Sequence, residues 1–265
     1  MSPMNNRLLV PKKTPGLLDL VPGAAAAYSL RSLSRSYADP VVTVRRSSDD
    51  AEEDFTGAEV ADGTLAAFCG AGDGFVKQWW DQSGNGNHAV AAADANEPQI
   101  VDSGVVVTEE GKPALQFDGS DDYLDATGVS VSQPDTIFSV NTSENPPNNV
   151  YDGITSRQAL TQIASTSNFE RFYAGTSVAS STLVSPGEQF IFVCLFDGAS
   201  SKMFRDSVLI ASDNAGANDL DGFRIGCFQP GTAHHSGTIQ EIVIYPSDLS
   251  SQRELIEGNI AWSYS

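Results

Sequence analysis

Among the residues able to do chemistry, a group of five stands in one short stretch of this 265-residue chain. Residues 78–90 read QWWDQSGNGNHAV. An exposed tryptophan ring can stack on the apolar face of a sugar, while neighbouring polar side chains bond the hydroxyls. One prediction is therefore a glycan-binding site, formed by Trp79, Trp80, Asp81, Asn85 and His88.

The same stretch also fits a structural role. Gly84 and Gly86 can adopt positive φ. The side chains of Asp81, Ser83 and Asn85 can bond nearby backbone amides, so the loop is suited to a tight corner after a strand. This interpretation is favoured over glycan binding. The two tryptophans are neighbours in a predicted strand and must point to opposite faces, so one fills the core and the sequence does not say which.

Three aspartates cluster in LQFDGSDDYL at residues 115–124. Carboxylates of Asp118, Asp121 and Asp122 could bind calcium, which prefers oxygen ligands. The spacing is not that of a dedicated calcium loop, so a solvated turn is favoured; no cofactor is predicted, and calcium stays an open alternative. His234 and His235 lack a cysteine or carboxylate at metal-binding spacing and are predicted to be ordinary loop residues.

Composition argues against several classes of function. The chain has 34 acidic and 15 basic side chains, and its formal charge of −19 repels nucleic acid and anionic membranes. No stretch approaches the ~18 apolar residues of a membrane span, and the N-terminus lacks the apolar region of a signal peptide. Cys69, Cys194 and Cys227 are too far apart for a zinc knuckle and are predicted to be small buried residues.

The elements that position these residues are mostly strands. Residues 1–22 are rich in proline and predict an extended arm, and residues 23–265 predict one domain. Apolar residues recur at helical spacing from Gly23 to Tyr37, which predicts an amphipathic helix. A short helical turn is expected at 64–69. A C-terminal helix is expected after Pro246, with Ser251 and Glu254 as a capping box.

Between these helices, short β-branched and aromatic runs alternate with turn residues. A hairpin connection is expected at 109–112. The pattern predicts an all-β fold, specifically a two-sheet antiparallel jelly-roll sandwich with an N-terminal and a C-terminal helix. The strands are predicted at 41–46, 75–80, 98–101, 105–108, 114–117, 123–125, 136–140, 159–163, 171–174, 189–196, 202–210, 223–228 and 237–245.

Several stretches together resemble a known family. WDQSGNGNH at 80–88, LQFDGSDDYL at 115–124 and the closing strand and helix at 237–264 are similar to concanavalin-type, laminin-G-like jelly rolls. The N-terminal half, with AYSLRSL at 27–33 and VRRSSDD at 44–50, resembles the catalytic domain of fungal-type α-L-arabinofuranosidase B. That resemblance implies a retaining glycosidase, which needs two carboxyl groups about 5 Å apart.

The carboxylates that the resemblance implies are missing at the matching positions. It places the acid/base aspartate after an Ile-Gly-Gly run, but here Ile225-Gly226-Cys227 is followed by Phe228. It places the nucleophile in a segment that corresponds to residues 174–185, AGTSVASSTLVS, which has no carboxylate; Glu170 and Glu188 are the nearest. The adjacent cysteine pair that it implies is also absent. The sequence therefore predicts a chain that is not an enzyme.

Domains that resemble this one also occur in structural proteins of tailed bacteriophages. The sequence accordingly predicts a virion protein made in the host cytoplasm, either a capsid decoration (knob) or a tail-fibre or adsorption component. Residues 1–22 would dock on other virion proteins, and the domain would contact host-surface polysaccharide; neither nucleic acid nor membrane insertion is expected, and a homo-oligomer is left open. The alternative is a carbohydrate-binding module or a degenerate arabinofuranosidase-like glycosidase.

Overall fold

A computed structural model describes residues 15–144, 148–163, 169–183, 186–228 and 231–264. The helices are α1 (Leu17–Leu20), α2 (Gly57–Ala61), α3 (Thr64–Cys69) and α4 (Arg253–Tyr264). The first strands are β1 (Ala26–Ser29), β2 (Val42–Arg46), β3 (Glu52–Phe55), β4 (Gly74–Trp79), β5 (Ala89–Val90), β6 (Gln99–Asp102), β7 (Val105–Val106), β8 (Thr108–Glu109), β9 (Lys112–Pro113) and β10 (Leu115–Asp118). The remaining strands are β11 (Leu124–Val131), β12 (Asp135–Asn141), β13 (Asn148–Ser156), β14 (Ala159–Ile163), β15 (Phe169–Tyr173), β16 (Ser177–Leu183), β17 (Phe190–Phe196), β18 (Lys202–Arg205), β19 (Val208–Ser212), β20 (Leu220–Ile225) and β21 (Ser236–Tyr245).

The all-β, antiparallel prediction is confirmed. Apart from the small β8–β9 hairpin, the strands of the described chain join one hydrogen-bonded sheet, which divides at β4. Near Gly74, β4 pairs with β6, and the first arm continues through β10, β21, β12, β17, β18 and β19. Near Trp79, β4 pairs with β5, and the second arm continues through β11, β20, β13, β14, β15 and β16.

The two arms pack face to face around the main core. Phe196 of the first arm and Phe172 of the second place their ring centroids 5.8 Å apart. A second, smaller core lies on the other face of the first arm, where Phe138 and Val243 pack with Ile256 and Ile260 of α4. The centre of the first arm is therefore buried on both faces, and all residues of β12 and β21 are buried.

The helix predicted from Gly23 to Tyr37 is wrong. This segment forms β1, which pairs with β21, and continues as turns. All four residues of β1 are buried, because Tyr28 faces the main core and Ala27 faces the second core. A strand that is apolar on both faces has no alternation, so its pattern cannot be told from that of a buried helix.

Most other predicted elements lie within a few residues of the observed ones. The predicted strand at 202–210 is instead a hairpin, which turns at Asp206 and Ser207, where φ is 46° and 67°. The polar strands β3, β13 and β16 have no predicted counterpart. Residues 1–14 of the predicted arm lie outside the described residues, whereas Leu17 in its second part is fully buried. All three cysteines are free and buried, as predicted.

Candidate functional site

The polar loop at residues 81–87 is built as a structural corner. The carboxylate of Asp81 accepts hydrogen bonds from the backbone N–H of Ala27 at 2.8 Å, of Ser83 at 2.9 Å and of Asn87 at 3.0 Å. The amide of Gln82 donates to the carbonyl oxygens of Ser29 and Arg31, both at 2.9 Å. The loop thereby fastens the β1 segment to the end of β4.

The five predicted glycan-binding residues are not brought together as one surface. Trp79 is 0% exposed and packs against Tyr28, and Asp81 is 3% exposed. Asn85 is exposed, but its side-chain amide donates to the carbonyl oxygens of Ala24 at 3.0 Å and Ala25 at 3.1 Å.

Trp80 is the partly exposed member of the tryptophan pair. Its indole N–H donates to the hydroxyl of Thr43 at 3.0 Å, and its ring lies 4.6 Å from that of His88. Glycan contact by Trp80 and His88 stays a prediction.

A cleft of about 430 Å³ opens on the outer face of the sheet near β4. Four of its residues lie side by side on neighbouring strands, because Arg45 pairs with Phe75, Phe75 with Gln99, and Gln99 with Gln116. The loops before β6 and after β10 complete the walls. These loops contribute Asp94, Ala95, Glu97, Asp121 and Asp122, and Asp118 at the end of β10 lies beside them.

The three predicted aspartates do lie together in this cleft. One side-chain oxygen from each of Asp118, Asp121 and Asp122 lies within 4.8 Å of the others. The turn itself orients two of them: Asp118 accepts from the N–H of Ser120 at 2.7 Å, and Asp122 accepts from the N–H of Asp118 at 2.9 Å. Calcium binding at these three aspartates stays the open alternative to the solvated turn that the sequence predicts.

Asp122 differs from its two neighbours in burial. Asp118 and Asp121 are exposed, whereas Asp122 is 7% exposed. Burial raises the pKa of Asp122 to about 7; the hydrogen bond from the Asp118 backbone opposes this, and the charges of Asp118 and Asp121 add to it. A carboxyl group with this pKa can both donate and accept a proton near neutral pH.

Arg45 supplies a positive charge to the cleft, but this charge is compensated. Its guanidinium lies 2.8 Å from Glu97 and 2.8 Å from Asp50, and it covers the ring of Phe75 at 5.3 Å. Glu97 is 3% exposed, and its burial raises its pKa while Arg45 opposes the shift. With five carboxyl groups around one paired arginine, the cleft is acidic.

Sequence reasoning named the three aspartates and missed the cleft around them. Arg45, Phe75, Gln99 and Gln116 were part of predicted strands or their ends, but none was singled out for a site. The usable signal was that each of these strands has a polar or aromatic residue at a partly exposed position. Their alignment into one row depends on the register between strands.

A family model shows which family the chain belongs to. The family model of the catalytic domain of α-L-arabinofuranosidase B matches residues 19–156, just over half of the chain. The chain belongs to this family. Every residue that lines the cleft lies inside the matched region.

Solved arabinofuranosidases share the fold at low sequence identity. One, in complex with arabinofuranosyl-α-1,2-xylobiose, is 16% identical with a TM-score of 0.66. Another, soaked with a cyclic sulfate inhibitor, is 17% identical with a TM-score of 0.60. Each match covers 89% of this chain, which spans 62% of the length of the arabinofuranosidase.

A sialidase of Trypanosoma rangeli, captured as a covalent intermediate, matches with 16% identity and a TM-score of 0.50 over 71% of this chain and 31% of its own. A comparison with curated protein sequences gives no match. Within the described residues, no helix is both long enough and apolar enough to cross a membrane.

The family match overturns the prediction of a non-enzymatic bacteriophage virion protein, because the matched family is that of a glycosidase catalytic domain. Two of the three sequence arguments against activity, Phe228 and the carboxylate-free segment at 174–185, concern positions outside residues 19–156. Those substitutions are real, but they leave the carboxyl groups of the cleft untouched.

Proposed function

We propose that this domain is a glycoside hydrolase that acts in the acidic cleft on glycans carrying α-L-arabinofuranosyl groups. The observation that carries the proposal is the pair Asp118 and Asp122. Their carboxyl oxygens lie within 4.8 Å of each other, and one of the two has a pKa of about 7. Retaining glycosidases use two carboxyl groups about 5 Å apart, one of them protonated near neutral pH.

In the proposed mechanism, Asp122 is the acid/base and Asp118 the nucleophile. The carboxylic acid of Asp122 donates its proton to the glycosidic oxygen as the C–O bond breaks, and the carboxylate of Asp118 attacks the anomeric carbon to form a glycosyl ester. The Asp122 carboxylate then takes a proton from water, whose oxygen displaces Asp118. The free sugar leaves with its configuration retained.

The rest of the cleft supports binding of a sugar. The ring of Phe75 offers an apolar face, and the side-chain oxygens of Gln99 and Gln116 can accept from hydroxyl groups, since their NH2 groups donate to backbone carbonyls. A volume of about 430 Å³ lies in the usual range for small-molecule sites. The choice of an arabinofuranosyl group rests on the family and on the bound arabinofuranosyl-xylobiose of the similar structure.

The finer description of the fold is part of this proposal. The two arms that diverge from β4 and enclose the main core have the arrangement expected of a concanavalin-like jelly-roll sandwich. The cleft lies near the point of divergence, where the strand register aligns its floor.

The direct test is release of 4-nitrophenol from 4-nitrophenyl α-L-arabinofuranoside. We expect wild-type protein to hydrolyse it, and the Asp118→Asn and Asp122→Asn variants to be inactive. Asp94→Asn removes an exposed carboxylate from the same cleft and is the matched control, which should retain activity. Absence of wild-type turnover on both this glycoside and arabinoxylan, or full activity in Asp122→Asn, would overturn the proposal.

Calcium is the competing occupant of the three aspartates. We expect the rate to survive EDTA, because a bound cation would occupy the carboxylate that must attack the sugar. Loss of activity in EDTA with recovery on adding calcium would contradict the role given to Asp118.

A further inference from the structure

A buried aspartate, Asp135, is the first residue of β12 in the first arm. It pairs directly with Phe196 of β17, whose side chain lies in the main core. Directly paired residues point to the same face of a sheet, so the carboxyl group of Asp135 points into the space between the two arms. Asp135 is 0% exposed, and an ionised carboxylate in such a place is costly unless it is paired.

The hydrogen-bond partner of Asp135 comes from the second arm. It is Gln158, which lies between β13 and β14 and is also fully buried. Its side-chain Nε2 donates to Oδ1 of Asp135 at 2.8 Å and to the carbonyl oxygen of Asn218, just before β20, at 3.0 Å. The two side chains therefore join the arms at the end of the core where β12 begins.

One oxygen of each side chain is left without a donor. Within the described residues, Oδ2 of Asp135 and Oε1 of Gln158 are buried and have no hydrogen-bond partner. A protonated carboxyl group satisfies both, because its O–H can donate to Oε1 of Gln158 while its other oxygen accepts from Nε2. An ionised carboxylate has no such donor and leaves two buried acceptors unsatisfied.

We propose that Asp135 is protonated in the folded protein and that its proton forms the second hydrogen bond of a cyclic acid–amide pair with Gln158, so that rising pH weakens the contact between the two arms. The inference concerns the interior of the fold. It does not depend on the proposed hydrolase function or on the acidic cleft.

The surroundings of Asp135 favour its neutral form. Burial raises the pKa of Asp135 to about 8; the hydrogen bond from Gln158 opposes this shift, and the charge of Asp219 adds to it. In the described part of the chain, no ion pair includes Asp135. Two other titratable groups face it, Tyr151 of β13 and Cys194 of β17. Burial raises the pKa of both, to about 12 for Cys194, so they stay neutral when Asp135 ionises.

The pH range of the effect follows from the folded and unfolded states. Below about pH 4 both states hold the proton of Asp135, and between about pH 4 and pH 8 only the folded state does. Opening of the pair therefore becomes easier throughout this range, and the effect levels off once the folded state has also lost the proton.

Asp135→Asn is the deciding variant. Asparagine keeps the shape of the side chain, and its NH2 group can donate to Oε1 of Gln158 at every pH. Hydrogen–deuterium exchange, followed by mass spectrometry of peptides that cover β12 and β20, compares the two proteins at the same pH, so intrinsic exchange rates cancel. Wild type and variant should exchange alike at pH 4, and wild type should exchange about tenfold faster or more at pH 8. A ratio of rates that does not change with pH would overturn the proposal.

Asp122→Asn is the matched control, because it removes a different buried carboxyl group of raised pKa. In β12 and β20 it should exchange like wild type at both pH values. If it slowed exchange there as much as Asp135→Asn does, the pH effect would not come from Asp135 and the proposal would be wrong.

Infrared spectroscopy detects the proton itself. The carbonyl stretch of a protonated carboxyl group should appear at pH 6 in the difference spectrum between wild type and Asp135→Asn, and it should be absent at pH 10. Asp122 is present in both proteins and cancels. Absence of this band at pH 6 would show that Asp135 is ionised in the folded protein and would overturn the proposal. No substrate enters these experiments, so they are independent of whether the cleft hydrolyses glycosides.

Discussion

The corner loop and the acidic cleft each hold a buried aspartate, yet they use it in opposite ways. Asp81 in the loop is buried against three backbone N–H groups, which satisfy its charge. Asp122 in the cleft is also buried, but with two other carboxylates nearby and one backbone N–H. The donors around Asp81 fasten the fold, whereas burial, helped by the charges of Asp118 and Asp121, raises the pKa of Asp122 and favours its protonated form.

The largest expected effect concerns turnover. Asp122→Asn should lower kcat by about 10³-fold or more, since it removes general acid and base catalysis with little change in shape. The rate on 4-nitrophenyl α-L-arabinofuranoside measures it, with Asp81→Asn as a comparison that should act mainly through stability. If the activity lost by each variant only matched its fraction of unfolded protein, Asp122 would have a structural role like that of Asp81, and the contrast between the two regions would be wrong.

The next effect concerns stability. Asp81→Ala should lower the free energy of unfolding by about 3 kcal/mol or more, because it leaves several backbone N–H groups of the corner without their acceptor. Urea denaturation followed by tryptophan fluorescence measures the loss, since Trp79 lies in the core. A loss below about 0.5 kcal/mol would show that water replaces the carboxylate and that the hydrogen bonds of Asp81 do not stabilise the fold.

The third effect is a loss of stability as the pH rises, and it comes from the raised pKa of Asp122 in the cleft. Below about pH 4 both folded and unfolded chains hold the Asp122 proton; from there to about pH 7 only the folded chain does. Each unit of rising pH then lowers the free energy of unfolding by up to about 1.4 kcal/mol.

Asp122→Asn removes this contribution, so the variant should be more stable than wild type at pH 8. Asp135, whose pKa burial raises to about 8, adds a similar slope of its own that the variant keeps. Urea midpoints at pH 4, 6 and 8 measure the difference between the two proteins. A difference that does not grow with pH would contradict the raised pKa of Asp122.

The smallest effect is a shift in pH dependence. The charge of Asp121 contributes to the raised pKa of Asp122, so Asp121→Asn should lower that pKa. The alkaline limb of the kcat/KM profile should move toward acid by a few tenths of a pH unit, while the maximal rate changes little. A shift toward alkali would show that Asp121 does not act on Asp122 through its charge.

The parts predicted from sequence were those that depend on local pattern. Alternating runs such as Phe190–Phe196 were recognised as strands, and the three aspartates were noticed because they are close in sequence. The cleft floor was not, because Arg45 and Glu97 are 52 residues apart and meet only through strand register. The helix predicted after Gly23 failed for a related reason, since burial of β1 on both faces depends on β21.

The prediction that the chain has no enzymatic function was wrong for a different reason. That prediction considered carboxylates only at the positions that the resemblance implies. Neither Phe228 nor the segment at 174–185 provides one. The family match lies in the other half of the molecule, which contains the acidic cleft. Asp122 had already been identified in the sequence, but its burial, which changes its chemistry, cannot be read from residue type.

The position of β21 has a consequence for how the protein is made. This strand lies between β12 on one edge and β1 and β10 on the other, so residues near both ends of the chain pair directly. Ala26 finds its partner only when Ile244 has been synthesised and has left the ribosome. The apolar strands of the first arm therefore stay unpaired until β21 has been synthesised. We expect folding of this arm to be slow and to depend on chaperones in the cell.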